Sequence, residues 1–132
     1  MTSEKSFQQY FLRNVHHGYR TELTTGAGFP DVLLIHGSRH SLVELKILKI
    51  GPSGNKKLKG LFKKSQPPWY WNYISKGGTS LYVLFRLDGT YGLLGVNRHF
   101  LTDLETVTYK DLPKYCYKEY GSLQYLIKEN FE

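Results

Sequence analysis

The hydrophobic pattern opens with apolar residues at four-residue spacing: Phe7, Phe11 and Val15. This spacing places side chains on one face of a helix, so we predict an amphipathic helix over residues 3–15. Thr2 or Ser3 is suited to cap its first turn, because a side-chain hydroxyl accepts a hydrogen bond from a free backbone N–H there. The chain is therefore expected to begin with a helix that buries one face.

Short apolar runs bounded by turn-forming residues follow this helix. Residues 19–25 are typical of a first strand, and the glycine-rich residues 26–28 provide a tight approach to the next one. The runs 32–35 and 42–46 predict two further strands, which the polar turn at 36–40 joins into a hairpin.

The middle of the chain predicts a loop, a helix and a second hairpin. Glycine, proline and serine in residues 47–64 indicate a loop, which we expect to be mobile and to become ordered on DNA. A helix is predicted over 68–75, with Ser65 as its cap and prolines in its first turn. Strands are predicted over 80–87 and 91–96, and the first of them is apolar enough to be buried on both faces.

The last 36 residues, 97–132, give weaker signals. Residues 101–104 predict a turn or a short strand, and residues 119–130 a helix with its leucines inward. Several tyrosines in this segment indicate either a dimer interface or a cap on the core: Tyr109, Tyr115, Tyr117, Tyr120 and Tyr125. Cys116, the only cysteine, excludes an internal disulfide and is expected to pack among them.

The order of these elements is helix, three strands, helix, two strands and a C-terminal helix. It predicts an α/β fold with a mixed sheet of about five strands flanked by helices. The helix at 68–75 supplies the crossover that a parallel pair of strands requires. A length of 132 residues is typical of one domain.

The net charge of +7 is unevenly distributed along the chain. Residues 45–87 carry nine basic groups and no acidic one, whereas residues 88–132 carry five basic and seven acidic groups. A concentrated basic segment is typical of proteins that neutralise phosphates, although solvated lysine-rich loops also have this composition.

Two carboxylates and a lysine lie just upstream of the basic segment. Asp31 opens one predicted strand, and Glu44 and Lys46 lie in its hairpin partner, so the two carboxylates should meet. Side chains alternate along a strand, and Glu44 and Lys46 therefore point to the same face. Paired carboxylates beside an ammonium group can hold a hard divalent cation and orient a water against a phosphodiester.

With Pro30-Asp31 and Glu44-Leu45-Lys46 as its motif, the chain resembles the PD-(D/E)XK nuclease superfamily. The layout is similar to its phage and viral branch, the virus-type replication-repair nucleases and Holliday-junction resolvases. The resemblance spans roughly residues 4–96. It implies a restriction-endonuclease-like core over residues 1–96, with 97–132 as an extension of the same nuclease domain.

The resemblance also implies roles for particular residues. Asp31, Glu44 and the backbone carbonyl of Leu45 would bind Mg²⁺ or Mn²⁺, and Lys46 would hold or help deprotonate the attacking water. Gln66 matches a glutamine that this family places near the active site. A glutamate of the first helix often completes the metal site in the family, which makes Glu4 the candidate.

The third carboxylate is left open by the residues themselves. Glu4 falls on the predicted buried face of the first helix, where a carboxylate needs a partner, but dipole stabilisation in solvent is an equal alternative. Glu22 is the rival in the first predicted strand.

These features predict a metal-dependent DNA endonuclease, with branched or junction DNA as the expected substrate. The alternatives are a sequence-specific homing or restriction-type endonuclease and a non-catalytic DNA-binding module. DNA contacts are expected from one arginine and six lysines: Arg20, Lys49, Lys56, Lys57, Lys59, Lys63 and Lys64.

The expected partner is DNA, with a homodimer as an open alternative. No apolar run approaches the roughly 20 residues that span a bilayer, and the N-terminus lacks the apolar region of a signal peptide. Together with the single cysteine, this predicts a cytoplasmic protein without membrane contact.

Overall fold

The computed structural model describes residues 3–21 and 28–132. In these residues six strands form one mixed sheet: β1 (Gly18–Arg20), β2 (Val32–His36), β3 (Arg39–Ile47), β4 (Leu81–Arg86), β5 (Tyr91–Gly95) and β6 (Tyr117–Tyr120). The helices are α1 (Glu4–Asn14), α2 (Gln66–Ser75), α3 (Arg98–Asp103) and α4 (Leu123–Phe131), with 3₁₀ turns at Lys59–Leu61 and Tyr109–Lys114. The predicted α/β class and mixed sheet are confirmed, whereas the sheet has one strand more than the five expected.

The order of the strands across the sheet follows their order along the chain. Among the strands of the described residues, only β3 and β4 run parallel, and the other neighbouring pairs are antiparallel. A parallel pair needs a crossover connection, and α2 lies in it, as predicted.

The sheet separates two apolar layers. On one side Phe7 and Phe11 of α1 and Leu126 of α4 pack against Val43 and Leu45 of β3. On the other side α2, α3 and the two 3₁₀ turns cover a second layer that includes Leu42. Successive residues of a strand face opposite sides, so Glu44 and Lys46 lie in the layer beneath α2.

The predicted first helix is confirmed, and Ser3 caps it by accepting a hydrogen bond from the Ser6 N–H at 3.1 Å. The expectation that Glu4 lies on its buried face is wrong. Glu4 is exposed in the first turn, where its charge is favourable for the helix dipole.

The predicted hairpin of the second and third strands is confirmed, with a shorter turn than expected. His36 pairs with Arg39, so only Gly37 and Ser38 connect the strands, and Gly37 has a φ of 66°. Such short turns favour glycine because other residues are strained at positive φ. The predicted first strand is found as β1, and its continuation past Thr21 lies outside the described residues.

The basic connection between β3 and α2 differs from the mobile loop that was expected. Leu58 is fully buried, and its N–H donates to the Val107 carbonyl at 3.1 Å. Lys57 and Thr108 form an antiparallel bridge at the same place. The segment is therefore anchored to the C-terminal part of the chain by contacts that are distant in sequence.

The C-terminal segment holds most of the corrections. Residues 101–103 form the end of α3 and Leu104 is its C-cap, and Asn97 caps the start of the helix by accepting from the Phe100 N–H at 3.0 Å. The strand β6 was not predicted, and the last helix begins at Leu123 rather than at residue 119. Its inward leucines are confirmed.

The tyrosines of this segment mostly contact the protein itself. The Tyr109 hydroxyl donates to Glu119 at 2.7 Å and the Tyr115 hydroxyl to Asp103 at 2.7 Å. These contacts fit a cap on the core, and the dimer interface stays a prediction. Cys116 is exposed, so the expectation that it packs was wrong. None of the helices in 3–21 and 28–132 has the length and apolar composition needed to cross a membrane.

Candidate active site

The hairpin brings Asp31 and Glu44 together, as predicted. Val32 pairs with Val43, so Asp31 and Glu44 are the next opposed positions. The carboxylate Oδ2 of Asp31 accepts a hydrogen bond from the Leu45 N–H at 3.0 Å. This bond anchors Asp31 to β3 at the point where β2 begins.

A buried polar cluster surrounds Glu44 beneath α2. Glu44 and Lys46 are each 2% exposed and Gln66 is 5% exposed. One oxygen of Glu44, Oε2, accepts from Lys46 Nζ at 3.1 Å and from Gln66 Nε2 at 2.8 Å. Charged side chains are almost never buried this deeply without a partner or a functional reason.

The backbone orients Gln66 towards Glu44. Its side-chain oxygen accepts from the Lys63 N–H at 2.9 Å, which leaves the amide nitrogen as the donor to Glu44. Gln66 is the first residue of α2, and the sequence had predicted this helix to begin two residues later. Gln66 therefore couples the basic segment that precedes α2 to the carboxylate on β3.

The second oxygen of Glu44, Oε1, is buried and has no hydrogen-bond partner among the described residues. The same holds for the hydroxyl of Tyr70. Buried polar atoms nearly always have partners, and an orphan in a native site calls for a ligand, a water or an ion. An acceptor and a donor are thus both available in this cluster.

The environment of Glu44 disfavours its charge. Burial, followed by the nearby carboxylate of Asp31, raises the pKa of Glu44 to about 7, against the lowering effect of Lys46 and Gln66. Two carboxylates close together repel each other unless a cation lies between them. The pair is therefore stabilised by any group that adds positive charge at Oε1.

Tyr70 is the residue of this cluster that the sequence did not single out. It lies one helical turn after Gln66, and burial, then Glu44 and Asp31, raise the pKa of its hydroxyl far above the usual value of 10. The hydroxyl therefore stays protonated and is available as a donor in the cluster. The four-residue spacing from Gln66 was the available signal, but Tyr70 was grouped with the aromatic residues assigned to the core.

Aromatic packing fixes the lysine. Nζ of Lys46 lies 5.6 Å from the centre of the Phe62 ring, which in turn packs edge-on against Tyr70 at 6.0 Å. A cation over an aromatic face is stabilised electrostatically, and more so when it is desolvated. Lys46 is therefore held in place on both sides, by Glu44 and by Phe62.

Gly28 allows the chain to reach the site. It has a φ of 91°, and a Cβ at this position would lie 2.3 Å from the Ser65 carbonyl oxygen at the start of α2. Thr21 holds the following residues, since its N–H donates to the Asp31 carbonyl at 3.1 Å and its hydroxyl to the Pro30 carbonyl. The predicted tight approach to Asp31 is confirmed at Gly28, and residues 26 and 27 lie outside the described part.

The structure gathers two carboxylates here. Within 3–21 and 28–132 there is no group of three or more His, Cys, Asp or Glu side chains suited to hold a metal ion. Glu4 is on α1, which packs on the opposite side of the sheet, and it is not brought to the pair. Glu22 lies outside the described residues, so the third carboxylate stays a prediction.

The candidate DNA-binding residues are exposed. Lys49, Lys56, Lys57, Lys63 and Lys64 lie on the surface of the connection between β3 and α2, and Arg20 lies on β1. Lys59 is also exposed but is paired with Glu105. Their contact with DNA stays a prediction.

In comparisons with known proteins, the chain matches no protein-family model, no curated protein and no solved structure. Its function therefore has to be inferred from the geometry and chemistry of the site itself.

Proposed function

We propose that this protein is a metal-dependent DNA endonuclease, with a restriction-endonuclease-like core, that hydrolyses phosphodiester bonds. The observation that carries the proposal is the buried oxygen Oε1 of Glu44, which has no partner among the described residues although it lies in a cluster with Asp31, Lys46 and Gln66. A structural ion pair would need only one carboxylate and would leave no buried acceptor open.

The donor set is suited to Mg²⁺ or Mn²⁺. Carboxylate and carbonyl oxygens are the ligands that such cations prefer, and Asp31 and Glu44 supply two carboxylates. The N–H of Leu45 points to Asp31, and the N–H and C=O of a strand residue lie on the same side, so its carbonyl faces this edge too. A bound ion would supply positive charge that makes the attacking water more acidic and offsets charge on the phosphate.

Lys46, Gln66 and Tyr70 have distinct roles in this proposal. Lys46 lies beside Glu44 and holds the attacking water, while its charge offsets that of the phosphate. Gln66 fixes the orientation of Glu44 through its amide. The protonated hydroxyl of Tyr70 donates to a water or to a phosphate oxygen, because no described residue accepts from it. Preorganised donors of this kind stabilise charge that develops in the transition state.

The basic segment supports DNA as the substrate. The N–H of Lys63 holds Gln66, so the surface lysines of this segment begin directly beside the buried cluster. Lysines that neutralise phosphates would position the backbone over the site.

A cleavage assay tests the proposal. Labelled four-way junction, flap, single-stranded and blunt duplex DNA are incubated with magnesium, manganese or EDTA, using the wild type, Glu44→Ala and Asp31→Ala. We expect cleavage that requires the metal and is lost in both variants, whereas their DNA binding in EDTA is retained. Cleavage by Asp31→Ala at the wild-type rate would show that the site is assigned wrongly.

The second candidate is a non-catalytic DNA-binding module, which the direct contact of Lys46 with Glu44 favours, since such pairs also occur as structural elements. Thermal stability separates the two candidates. A bound ion stabilises the folded protein by mass action, so magnesium should raise the melting temperature of the wild type and not that of Asp31→Ala. Binding without cleavage and without this metal effect would favour the module.

A further inference from the structure

An apolar groove lies beside the candidate active site. Its volume is about 740 Å³, which is in the range of small-molecule sites. The lining is mainly apolar and aromatic: Tyr19, Phe29, Leu33, Ile35, Trp69 and Tyr73. Arg20, Thr21 and His40 add polar groups.

The groove and the active site share one surface. His40 and Leu42 line the groove from β3, and Glu44 and Lys46 follow on the same face of that strand. Adjacent positions on one face of a strand are about 7 Å apart. The floor of the groove therefore runs into the carboxylate site within one such step.

The helix α2 covers both the groove and the carboxylate site, with two neighbouring rows of side chains. Gln66 and Tyr70 stand over the carboxylates, and Trp69 and Tyr73 line the groove. Each pair is separated by one helical turn. A ligand that occupies the groove would thus be held by the same rigid helix that orients Glu44.

The aromatic rings in the groove are arranged as a stacking platform. Trp69 and Tyr73 are stacked with their centres 5.2 Å apart and their planes 14° apart, and Phe29 packs edge-on against Trp69 at 4.9 Å. The Tyr73 hydroxyl is fixed by donating to the Thr79 carbonyl at 2.9 Å. The platform is therefore held by the protein before any ligand arrives.

Parts of the groove remain open to solvent. Tyr19 is 52% exposed and Ile35 is 44% exposed, although both are large and apolar. Contiguous exposed apolar surface of this kind is typical of binding sites. Arg20 lines the groove, and α2, which supplies Trp69 and Tyr73, belongs to the segment 45–87 that carries nine basic groups and no acidic one, so an anionic ligand with flat apolar rings is complementary to it.

We propose that this groove binds unpaired nucleobases of the DNA, so that the protein cuts next to a single-stranded segment. The inference rests on the proposed nuclease function and names its substrate class. Every base has a flat face that stacks on aromatic side chains, whereas the bases of an intact duplex are already stacked on each other. Blunt duplex DNA therefore cannot fill the groove.

The two tryptophans of the chain provide a direct test. Trp69 lines the groove and Trp71 is on the same helix outside it. Trp71→Phe leaves Trp69 as the only tryptophan, and Trp69→Phe leaves Trp71. Each protein is titrated in EDTA with a short oligothymidylate and with a blunt duplex while its tryptophan fluorescence is recorded. We expect oligothymidylate to quench Trp69 and not Trp71, and the duplex to quench neither.

Affinity provides the second measurement. We expect Trp69→Leu to weaken binding of oligothymidylate about tenfold and to leave binding of the blunt duplex unchanged, as base stacking on one aromatic side chain contributes on this scale. Trp71→Leu is the matched control and should change neither. If Trp69→Leu does not fold, Tyr19→Ser replaces it, with Tyr125→Ser on α4 as its similarly exposed control.

Several results would overturn the inference: no quenching of Trp69, equal quenching of both tryptophans, or equal weakening of duplex and single-strand binding in Trp69→Leu. A concentration-dependent dimer that Tyr19→Ser converts to a monomer would instead assign the groove to a second copy of the chain. The titration measures binding without metal, so its failure leaves the nuclease proposal intact. Quenching of Trp69 without cleavage in magnesium would remove the nuclease proposal and leave a single-strand binding groove.

Discussion

The two sides of the sheet differ in what they bury. The side covered by α1 and α4 is filled by aliphatic and aromatic residues, and its buried tyrosine, Tyr120, has a hydrogen-bond partner in Asn130 at 3.1 Å. The side covered by α2 contains Glu44, Lys46 and Gln66, together with the hydroxyl of Tyr70, which has no partner among the described residues. Among the described residues, charged side chains are fully buried only on the second side, whereas the first side has two buried ring or guanidinium nitrogens without a partner, His36 Nδ1 and Arg86 Nε.

We interpret this difference as a separation of stability from the proposed function. Apolar burial stabilises a fold, whereas buried charges and orphaned polar atoms destabilise it unless a ligand compensates. The α2 side contains three such side chains, Glu44, Lys46 and Tyr70, within one cluster, which is typical of a functional site. Substitutions on the side covered by α1 and α4 should therefore lower stability, whereas substitutions on the side covered by α2 should lower cleavage.

The largest effect is expected for Glu44→Gln, compared with Leu126→Ala on the apolar side. Glu44→Gln should reduce cleavage about a thousandfold, since it removes the negative charge that binds the metal ion and thereby helps to stabilise the transition state. Leu126→Ala should instead lower the free energy of unfolding by about 2–5 kcal/mol and keep the cleavage rate per folded molecule. Cleavage normalised to the folded fraction from circular dichroism distinguishes them. A Leu126→Ala protein that is folded but inactive would contradict the assignment of stability to one side of the sheet and of cleavage to the other.

A pH effect of about 3 kcal/mol is expected for the metal-free protein. The pKa of Glu44 rises from 4.5 in the unfolded chain to about 7 in the folded protein, so the folded state keeps its proton between these values. The contribution of Glu44 to stability is therefore full below about pH 4.5 and is lost as the pH rises to about 7. Urea unfolding at several pH values measures it. The loss of unfolding free energy between pH 4.5 and about 7 should be absent in Glu44→Gln. In the wild type, magnesium should restore stability at pH 7.

The two buried tyrosines provide a matched pair with effects of about 1 kcal/mol on stability. Tyr120→Phe removes a hydrogen-bonded hydroxyl and should lower stability by about 1 kcal/mol without affecting cleavage. Tyr70→Phe removes a hydroxyl that no described residue partners and should leave stability equal or slightly higher, while cleavage falls about tenfold or more. Normal cleavage by Tyr70→Phe would restrict Tyr70 to packing.

The smallest effect per residue concerns the exposed lysines. Replacing Lys56, Lys57, Lys63 and Lys64 by glutamine should flatten the salt dependence of DNA binding, by about 0.9 in logarithmic slope for each phosphate that is no longer neutralised. The control removes an equal charge from the C-terminal part, at Lys110, Lys114, Lys118 and Lys128. Equal slopes in the two variants would show that only net charge matters and would exclude the segment before α2 as the interface.

The parts of the fold set by neighbouring residues were predictable from the sequence. The helix at the N-terminus, the hairpin of β2 and β3 and the crossover helix follow from periodicity and turn residues. The meeting of Asp31 with Glu44, and the shared face of Glu44 and Lys46, follow from strand alternation within that hairpin.

Interactions between distant residues limited the prediction elsewhere. The connection containing Leu58 was expected to be mobile because its anchor, the Val107 carbonyl, lies far along the chain. The strand β6 is short and mostly polar, and only its pairing with β5 makes it a strand. Glu4 was misplaced because helical periodicity does not tell how far the buried face extends into the first turn.

The parallel pairing of β3 with β4 bears on the order of folding. Every other neighbouring pair of strands is joined by a shorter connection than residues 48–80, which separate β3 from β4. Closing a longer loop lowers the entropy of the chain more, so we expect this pairing to form later than the β2–β3 hairpin. The same segment carries Gln66 and Tyr70. In refolding experiments we therefore expect the hairpin with Asp31 and Glu44 to form early. The proposed DNA cleavage activity should be recovered only in the last kinetic phase.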